Sequence, residues 1–353
     1  MLIAHFKKHT LHFKEPGGTS RGVLVSKDSW ILIVGLEDDP LTFGIGECSI
    51  IRGLSIDDRP DFEGKLQQVC DDINNWQYWL EEGLFEYPSI RFGLEMAIAD
   101  IAEGGNKILF PSRFTEGKEG IPINGLVWMG DYSTMRKRII EKIESGFDCI
   151  KLKVGAINFD DEIKLLKLIR TDFSDSDIEL RLDANGAFPA NEALEKLILL
   201  SQFNIHSIEQ PIKQNQWEAM HNLCRKSPIP IALDEELIGL TDPEDIRRML
   251  EDIIPHYIIL KPGLLGGFGQ SSAFIREAEN NNIGWWVTSA LEGNIGLNAI
   301  AQWTYTLENP MPQGLGTGKL FVNNIPSPLN IVDAKLYHNP NEDWNLNSII
   351  DGK

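Results

Sequence analysis

The chain reads as an α/β protein, a TIM-type (β/α) barrel with an N-terminal α+β capping domain. Three observations predict this. First, polar residues end a series of short apolar strands at Lys153, Asp183, Glu209, Asp234, Lys261 and Ser289, spaced 30, 26, 25, 27 and 28 residues apart. A βα unit needs about that length, and eight in succession close a parallel barrel. Second, the first third of the chain follows a different rule, strands first and helices after. Third, no phosphate-loop glycine signature accompanies the strands, which disfavours an open doubly wound sheet.

Size and charge agree with this and exclude other classes. The 353 residues, 42% apolar and 24% charged, supply a large core and rule out a disordered or fibrous chain. The net charge of −19 disfavours a nonspecific nucleic-acid binder, which needs a basic face. Cys48, Cys70, Cys149 and Cys224 lack paired spacing, so neither a metal knuckle nor a disulfide framework is expected, and a cytoplasmic location is. No apolar stretch has the length of a signal peptide or membrane span. The expected partner is a small carboxylate substrate, with neither nucleic acid nor membrane.

In chain order, residues 2–13, 20–27 and 29–36 are rich in Val, Ile, Leu and Phe. Gly17-Gly18 and Lys27-Asp28 punctuate them, which predicts a small antiparallel sheet. Gly44-Ile-Gly46 lacks the third glycine of a dinucleotide fingerprint and reads as a hairpin turn. Helices are predicted over 61–82 and 88–103, the second opening on proline and stopping at Gly104-Gly105. Barrel strands follow at 121–128, 149–154, 179–183, 207–209, 229–234, 257–261, 284–289 and 313–316, with helices between. In the helix at 241–252, Thr241 and Glu244 have capping-box spacing and Pro243 lies in the first turn. This divides the chain into a cap at 1–115, a barrel at 116–319 and a tail from about 320 packing back towards the cap.

Strand geometry sends residues i and i+2 to one side. Lys151 therefore shares a face with Lys153, and Arg181 with Asp183 and Asn185. The carboxylates of Glu209 and Asp234 point inward, because their apolar neighbours point outward. In a barrel, the inward residues at strand carboxyl ends line the active-site mouth. Three carboxylates converging there would repel and raise one another's pKa, and a divalent cation resolves the conflict. Oxygen ligands without Cys or His favour Mg²⁺. Lys153 and Lys261, on the second and sixth strands, would face each other across the mouth. A carboxylate substrate between them would offer its α-proton to a lysine whose pKa neighbouring cations lower. The seven histidines show no metal-ligand spacing, and no Gly-x-Ser-x-Gly elbow is present.

These residues give the chain a resemblance, over essentially its whole length, to the muconate-lactonising subgroup of the enolase superfamily. The carrying motifs are Lys151-Leu-Lys153, Asp183-Ala-Asn, Glu209-Gln-Pro, Asp234-Glu-Glu and Leu-Lys261-Pro. Mandelate-racemase-like members keep a His/Asp pair on late strands, where this chain has Lys261 and Ser289. Within the subgroup the chain is most similar to the o-succinylbenzoate synthase family, through Gly18-Thr-Ser-Arg-Gly22, Gly46-Glu-Cys-Ser49, Gly53-Leu-Ser55, Ser89-Ile-Arg-Phe-Gly93-Leu-Glu95, Thr288-Ser-Ala-Leu-Glu292 and Gln313-Gly-Leu-Gly-Thr-Gly318.

The resemblance implies Mg²⁺, with Mn²⁺ as a substitute, held by Asp183, Glu209 and Asp234. It implies Lys153 as the acid/base and Lys261 opposite it, a Lys-and-Mg²⁺ pairing on an enediolate that is general to this superfamily. Lys151, Arg181 and Asn185 would support the site, with Ser289 and the backbone around Gly316 near a succinyl tail. The implied activity is a lyase of menaquinone biosynthesis that dehydrates 2-succinyl-6-hydroxy-2,4-cyclohexadiene-1-carboxylate to o-succinylbenzoate. The alternative is an N-acylamino-acid racemase using both lysines as bases. Dipeptide epimerases tend to carry Asp-x-Asp on the last strand, which Gly314-Leu-Gly316-Thr-Gly318 replaces here. Residues 16–24 and 49–55 are candidates for a lid that excludes water.

Overall fold

The computed structural model describes residues 1–19, 22–155 and 158–350. Ser20 and Arg21, within a motif quoted above, lie outside the described residues. β1 (Leu2–Thr19), β2 (Gly22–Leu36) and β3 (Asp39–Ser49) form an antiparallel sheet in that order. The continuous apolar run in β2 is explained by burial of both its faces. Trp30, Leu32 and Val34 pack with Phe62, Leu66, Ile90 and Leu94 of the following helices. Ile31 and Ile33 pack on the other side with Ile45, Ile295, Ile325 and Ile349.

The structure differs from the sequence expectation at two turns. Lys27 and Asp28 pair with Leu11 and Thr10 within one ladder, so the second and third predicted strands are a single β2. Gly44 and Gly46 are not a hairpin turn but belong to β3, which lies against the helix Pro88–Ala102. A Cβ at Gly44 would stand 1.9 Å from the Ala97 carbonyl oxygen, and one at Gly46 would stand 1.8 Å from that of Gly93. The glycines are there for close approach of strand to helix. The predicted helix at 61–82 is regular only over Phe62–Asp71 and continues as short 3₁₀, α and π turns. At that break Asn75 donates to Asp72, local competition that weakens a helix, and Asn74 donates to the Leu2 carbonyl of β1.

The second unit begins at β4 (Ile121–Pro122), followed by β5 (Gly125–Val127), β6 (Cys149–Lys153), β7 (Glu179–Asp183), β8 (Ser207–Glu209), β9 (Ile231–Leu233), β10 (Tyr257–Leu260) and β11 (Gly284–Val287). β5 to β11 are hydrogen-bonded neighbours in sequence order, and every pair is parallel. The predicted eighth strand at 313–316 contributes isolated parallel bridges, Gln313 to Ile123 and Gly314 to Thr288. These close the ring between β11 and the start of β5.

The predicted first strand at 121–128 is split. β4 pairs instead with the C-terminal hairpin of β12 (Leu329–Val332) and β13 (Lys335–His338). Outward residues such as Ile150, Leu152, Leu180, Leu182, Ile208 and Leu233 join one large core with the surrounding helices. Asp242, not Thr241, caps the helix Pro243–Ile253, its side chain accepting from the Glu244 amide. Among the described residues no helix is long and apolar enough to cross a membrane.

Candidate active site

Five neighbouring strands present a row of charges at their carboxyl ends. β6 carries Lys151 and Lys153, β7 Asp183 and β8 Glu209; Asp234 follows β9 and Lys261 follows β10. Lys153, Asp183 and Glu209 stand in direct register across β6, β7 and β8. Anions thus occupy three consecutive strands, flanked by cations on either side. Asp183, Glu209 and Asp234 are 1%, 2% and 3% exposed.

The ammonium groups interleave with the carboxylates. Lys153 Nζ donates to Asp183 at 2.9 Å and to Asn185 Oδ1 at 2.6 Å. Lys151 Nζ bridges Asp183, at 3.1 Å, and Glu209. Lys261 Nζ bridges Asp234 and, at 3.4 Å, Glu209. Burial opposes charge at Asp183, but Lys151, Lys153 and Lys261 outweigh it and hold the carboxyl far below its usual range. Burial and the nearby Asp183 push Glu209 up to about 7 despite Lys151 and Lys261, and burial also raises Asp234.

Burial alone would lower Lys151 and Lys261, yet both are raised. Their nearest charged neighbours are carboxylates, so the depression expected of lysines among cations does not occur at these two.

Backbone geometry aims the acidic side chains. Asn185 and Gln210 follow β7 and β8 with φ of 43° and 40°, the left-handed region that turns the chain sharply at the strand ends. The Asn185 amide donates to Asp183 Oδ1 at 3.0 Å, and its side chain reaches Glu235 at 3.2 Å. Gln210 Oε1 accepts from the Asp234 amide at 3.1 Å, fixing that residue from the adjacent strand end. Glu235, Glu236 and Gln210 belong to the Asp-Glu-Glu and Glu-Gln-Pro motifs, in which the resemblance gives a role only to the first residue.

Part of this row, without Glu209 and Asp234, lines one end of a cavity of about 260 Å³. Lys151, Lys153, Asp183, Asn185 and Lys261 line its polar end, while Leu24, Ile51, Leu54, Leu126, Trp128 and Leu291 form an apolar wall. Lys153 Nζ lies 5.8 Å from the centre of the Trp128 ring. Ser289 and Gly316 line the cavity as well, and the Ser289 hydroxyl bonds to that of Thr317 at 2.6 Å. Gly22–Leu24 and Ile51, Arg52 and Leu54, from the two candidate lid stretches, stand at the same cavity.

Arg181 is elsewhere. It sits nearer the amino end of β7, donating to Glu179 at 2.7 Å and the Pro312 carbonyl at 2.8 Å, 4.4 Å over the Trp286 ring.

All donors in the carboxylate row are oxygens, which matches the coordination chemistry of a hard divalent ion, and positive charge already lies between each adjacent pair. Among the described residues, no three of His, Cys, Asp and Glu are grouped as a ready-made metal centre.

The enolase C-terminal domain-like family model matches residues 134–338. The chain is 44% identical to an o-succinylbenzoate synthase of Desulfotalea psychrophila, over 92% of this chain and 95% of that protein. It is 27% identical to a D-Ala-D/L-Ala epimerase of Cytophaga hutchinsonii, over 83% and 80% of the two chains. The crystal structure of MenC from Desulfotalea psychrophila superposes with a TM-score of 0.83 at 40% identity, covering 95% of this chain and 99% of that one. A dipeptide epimerase from Enterococcus faecalis shares the fold, with a TM-score of 0.81 at 20% identity and 98% of each chain covered.

Proposed function

Since the chain belongs to the enolase superfamily, we propose that it is a lyase that dehydrates 2-succinyl-6-hydroxy-2,4-cyclohexadiene-1-carboxylate to o-succinylbenzoate. The observation that carries this reading is the cation-flanked row of carboxylates beside an apolar wall. The relative of 44% identity narrows the chemistry to this dehydration. The polar end suits a ring carboxylate and the apolar wall suits the ring itself.

Asp183, Glu209 and Asp234 would hold Mg²⁺, and Mn²⁺ is proposed as a substitute. When bound, the ion supplies positive charge beside the substrate carboxylate. Lys153, held by Asp183 and Asn185, takes the α-proton from one face. The C–O bond to the ring hydroxyl breaks as the new C=C bond forms, and Lys153 returns the proton to the departing hydroxyl as water. Lys261 stays protonated opposite, where its charge stabilises the negative charge that develops on the substrate. Lys151 and Asn185 keep the carboxylates and Lys153 aligned. Ser289 and the backbone at Gly316 flank the succinyl chain. The cap at 1–115 and barrel at 116–319 remain our division of the chain, and a cytoplasmic location fits a pathway enzyme of this kind.

An assay on the cyclohexadiene substrate, run beside N-succinyl amino acids in D₂O, tests the reading. We expect o-succinylbenzoate to form in a Mg²⁺-dependent manner that chelator abolishes. Deuterium exchange into N-succinyl amino acids without any dehydration would instead identify a racemase.

A further inference from the structure

A buried cation from the N-terminal sheet reaches the barrel mouth. Lys27, near the middle of β2, is 5% exposed, and its Nζ donates to the Ala290 carbonyl at 2.6 Å, 263 residues away in sequence. Ala290 and its neighbours Ser289 and Leu291 line the cavity. Leu291 has φ 62°, a left-handed conformation that a leucine keeps only when its surroundings impose it.

The next residue is more unusual. Glu292 is fully buried, and no side chain donates a hydrogen bond to its carboxyl oxygens. A Cβ at Gly263 would stand 2.4 Å from Glu292 Oε1, so the carboxyl lies against the turn just after Lys261. Close by, Glu47 of β3 accepts from the amides of Gly293 and Gly296, at 2.7 and 2.9 Å, and from the Ser29 hydroxyl at 2.8 Å. Lys27 is the basic group whose charge acts on both acids. A buried carboxylate without a cation or hydrogen bonds is costly, so Lys27 answers a need that the barrel cannot meet by itself.

We propose that Lys27 is a positioning residue of the lyase, holding the Ala290 carbonyl two residues before buried Glu292 so that the Ser289–Leu291 wall is fixed against the substrate's acyl portion. The role rests on the dehydratase reading above. It predicts an effect on binding of the distal chain and little on proton transfer, because Lys153 and Lys261 keep their own partners.

Lys27→Met and the double variant Lys27→Met/Glu292→Gln test it. The single variant leaves buried Glu292 and Glu47 without their cation, and its Tm should fall. The double variant removes one of those charges, so Tm should recover at least half of the loss. It still lacks the donor to Ala290, so KM for the cyclohexadiene substrate should stay raised about tenfold, with kcat within about threefold of wild type. The affinity for o-succinylbenzoate, read by fluorescence titration, should fall in parallel. A double variant with recovered Tm and wild-type KM would overturn the proposal, as would a loss in kcat with KM unmoved. Wild-type turnover measured alongside separates the two readings. Its absence sinks the dehydratase assignment and this role with it, whereas turnover with an unmoved KM sinks only the role of Lys27.

Discussion

The two halves of the barrel mouth are built on different principles. From β6 to β10 every strand end carries a charge, and each carboxylate touches at least one lysine. From β11 through 313–316 to β5 the cavity is lined by Thr288, Ser289, Gly314, Gly316, Asn124, Leu126 and Trp128, without a formal charge among them. The first half can move protons and hold an ion; the second can only shape and orient. Substitutions in the charged half should therefore act on kcat, and those opposite on KM.

The largest effect is expected at Lys153. Lys153→Ala and Lys153→Arg should each lower turnover about 10⁴-fold, the upper range for loss of a general acid–base group. Wild-type-like turnover of Lys153→Arg in a steady-state assay would show that charge, not proton transfer, is what the position supplies. Asp183→Asn should be as inactive and should also lower Tm, because it removes the anion that contacts both Lys151 and Lys153. Repulsion among carboxylates alone would raise Tm instead, so calorimetry of this variant decides which force dominates.

Lys261 comes next. Lys261→Ala should cost about 10²–10³ in kcat, the usual loss when one preorganised charge is removed. Lys261→Arg keeps the charge in a different shape and should retain part of the dehydration while losing any side racemisation, which needs a second base. If both reactions fall equally with unaltered substrate binding, Lys261 also moves protons in the dehydration.

An intermediate effect, on stability, is expected behind the loop that carries Ile51, Arg52 and Leu54 to the cavity. Asp57 is buried where its Oδ2 accepts from both the Ser89 amide and hydroxyl, and burial pushes its pKa up to about 6. A carboxyl with a raised folded pKa stabilises fully below its unfolded pKa, and that contribution is lost as pH rises through the folded value. Between about pH 4 and 6 it should make stability fall by up to about 3 kcal/mol. Asp57→Asn should flatten this part of the Tm–pH profile, and an unchanged slope would place the proton elsewhere.

The smallest effects belong to the uncharged half. Ser289→Ala breaks only the bond to Thr317 and should raise KM less than about tenfold, with kcat nearly unchanged. At Gly316 an added Cβ would find its nearest neighbour at 3.7 Å, so Gly316→Ala should fold normally and trim the cavity for long acyl chains. A kcat loss beyond tenfold in either variant would break the division between the halves.

The charged half was legible because charged side chains at strand ends recur at the length of a βα unit, and alternation dictates which way they face. Residues 153, 183, 209, 234 and 261 needed no tertiary information to be grouped. The helix opened by Pro88 and the absence of paired cysteines were equally local matters. What the chain alone did not disclose depends on contacts between distant segments. Gly44 and Gly46 looked like a turn because nothing nearby reveals that a helix some fifty residues later presses its carbonyls on them. The closing strand at 313–316 owes its role to single bridges on either side rather than to any apolar pattern of its own. Lys27 read as punctuation between strands, and only folding buries it beside Glu47, Glu292 and Ala290. Periodicity determines which face a side chain takes, but the partner across that face is chosen by packing, where burial makes each unpaired charge seek its counterpart regardless of sequence distance.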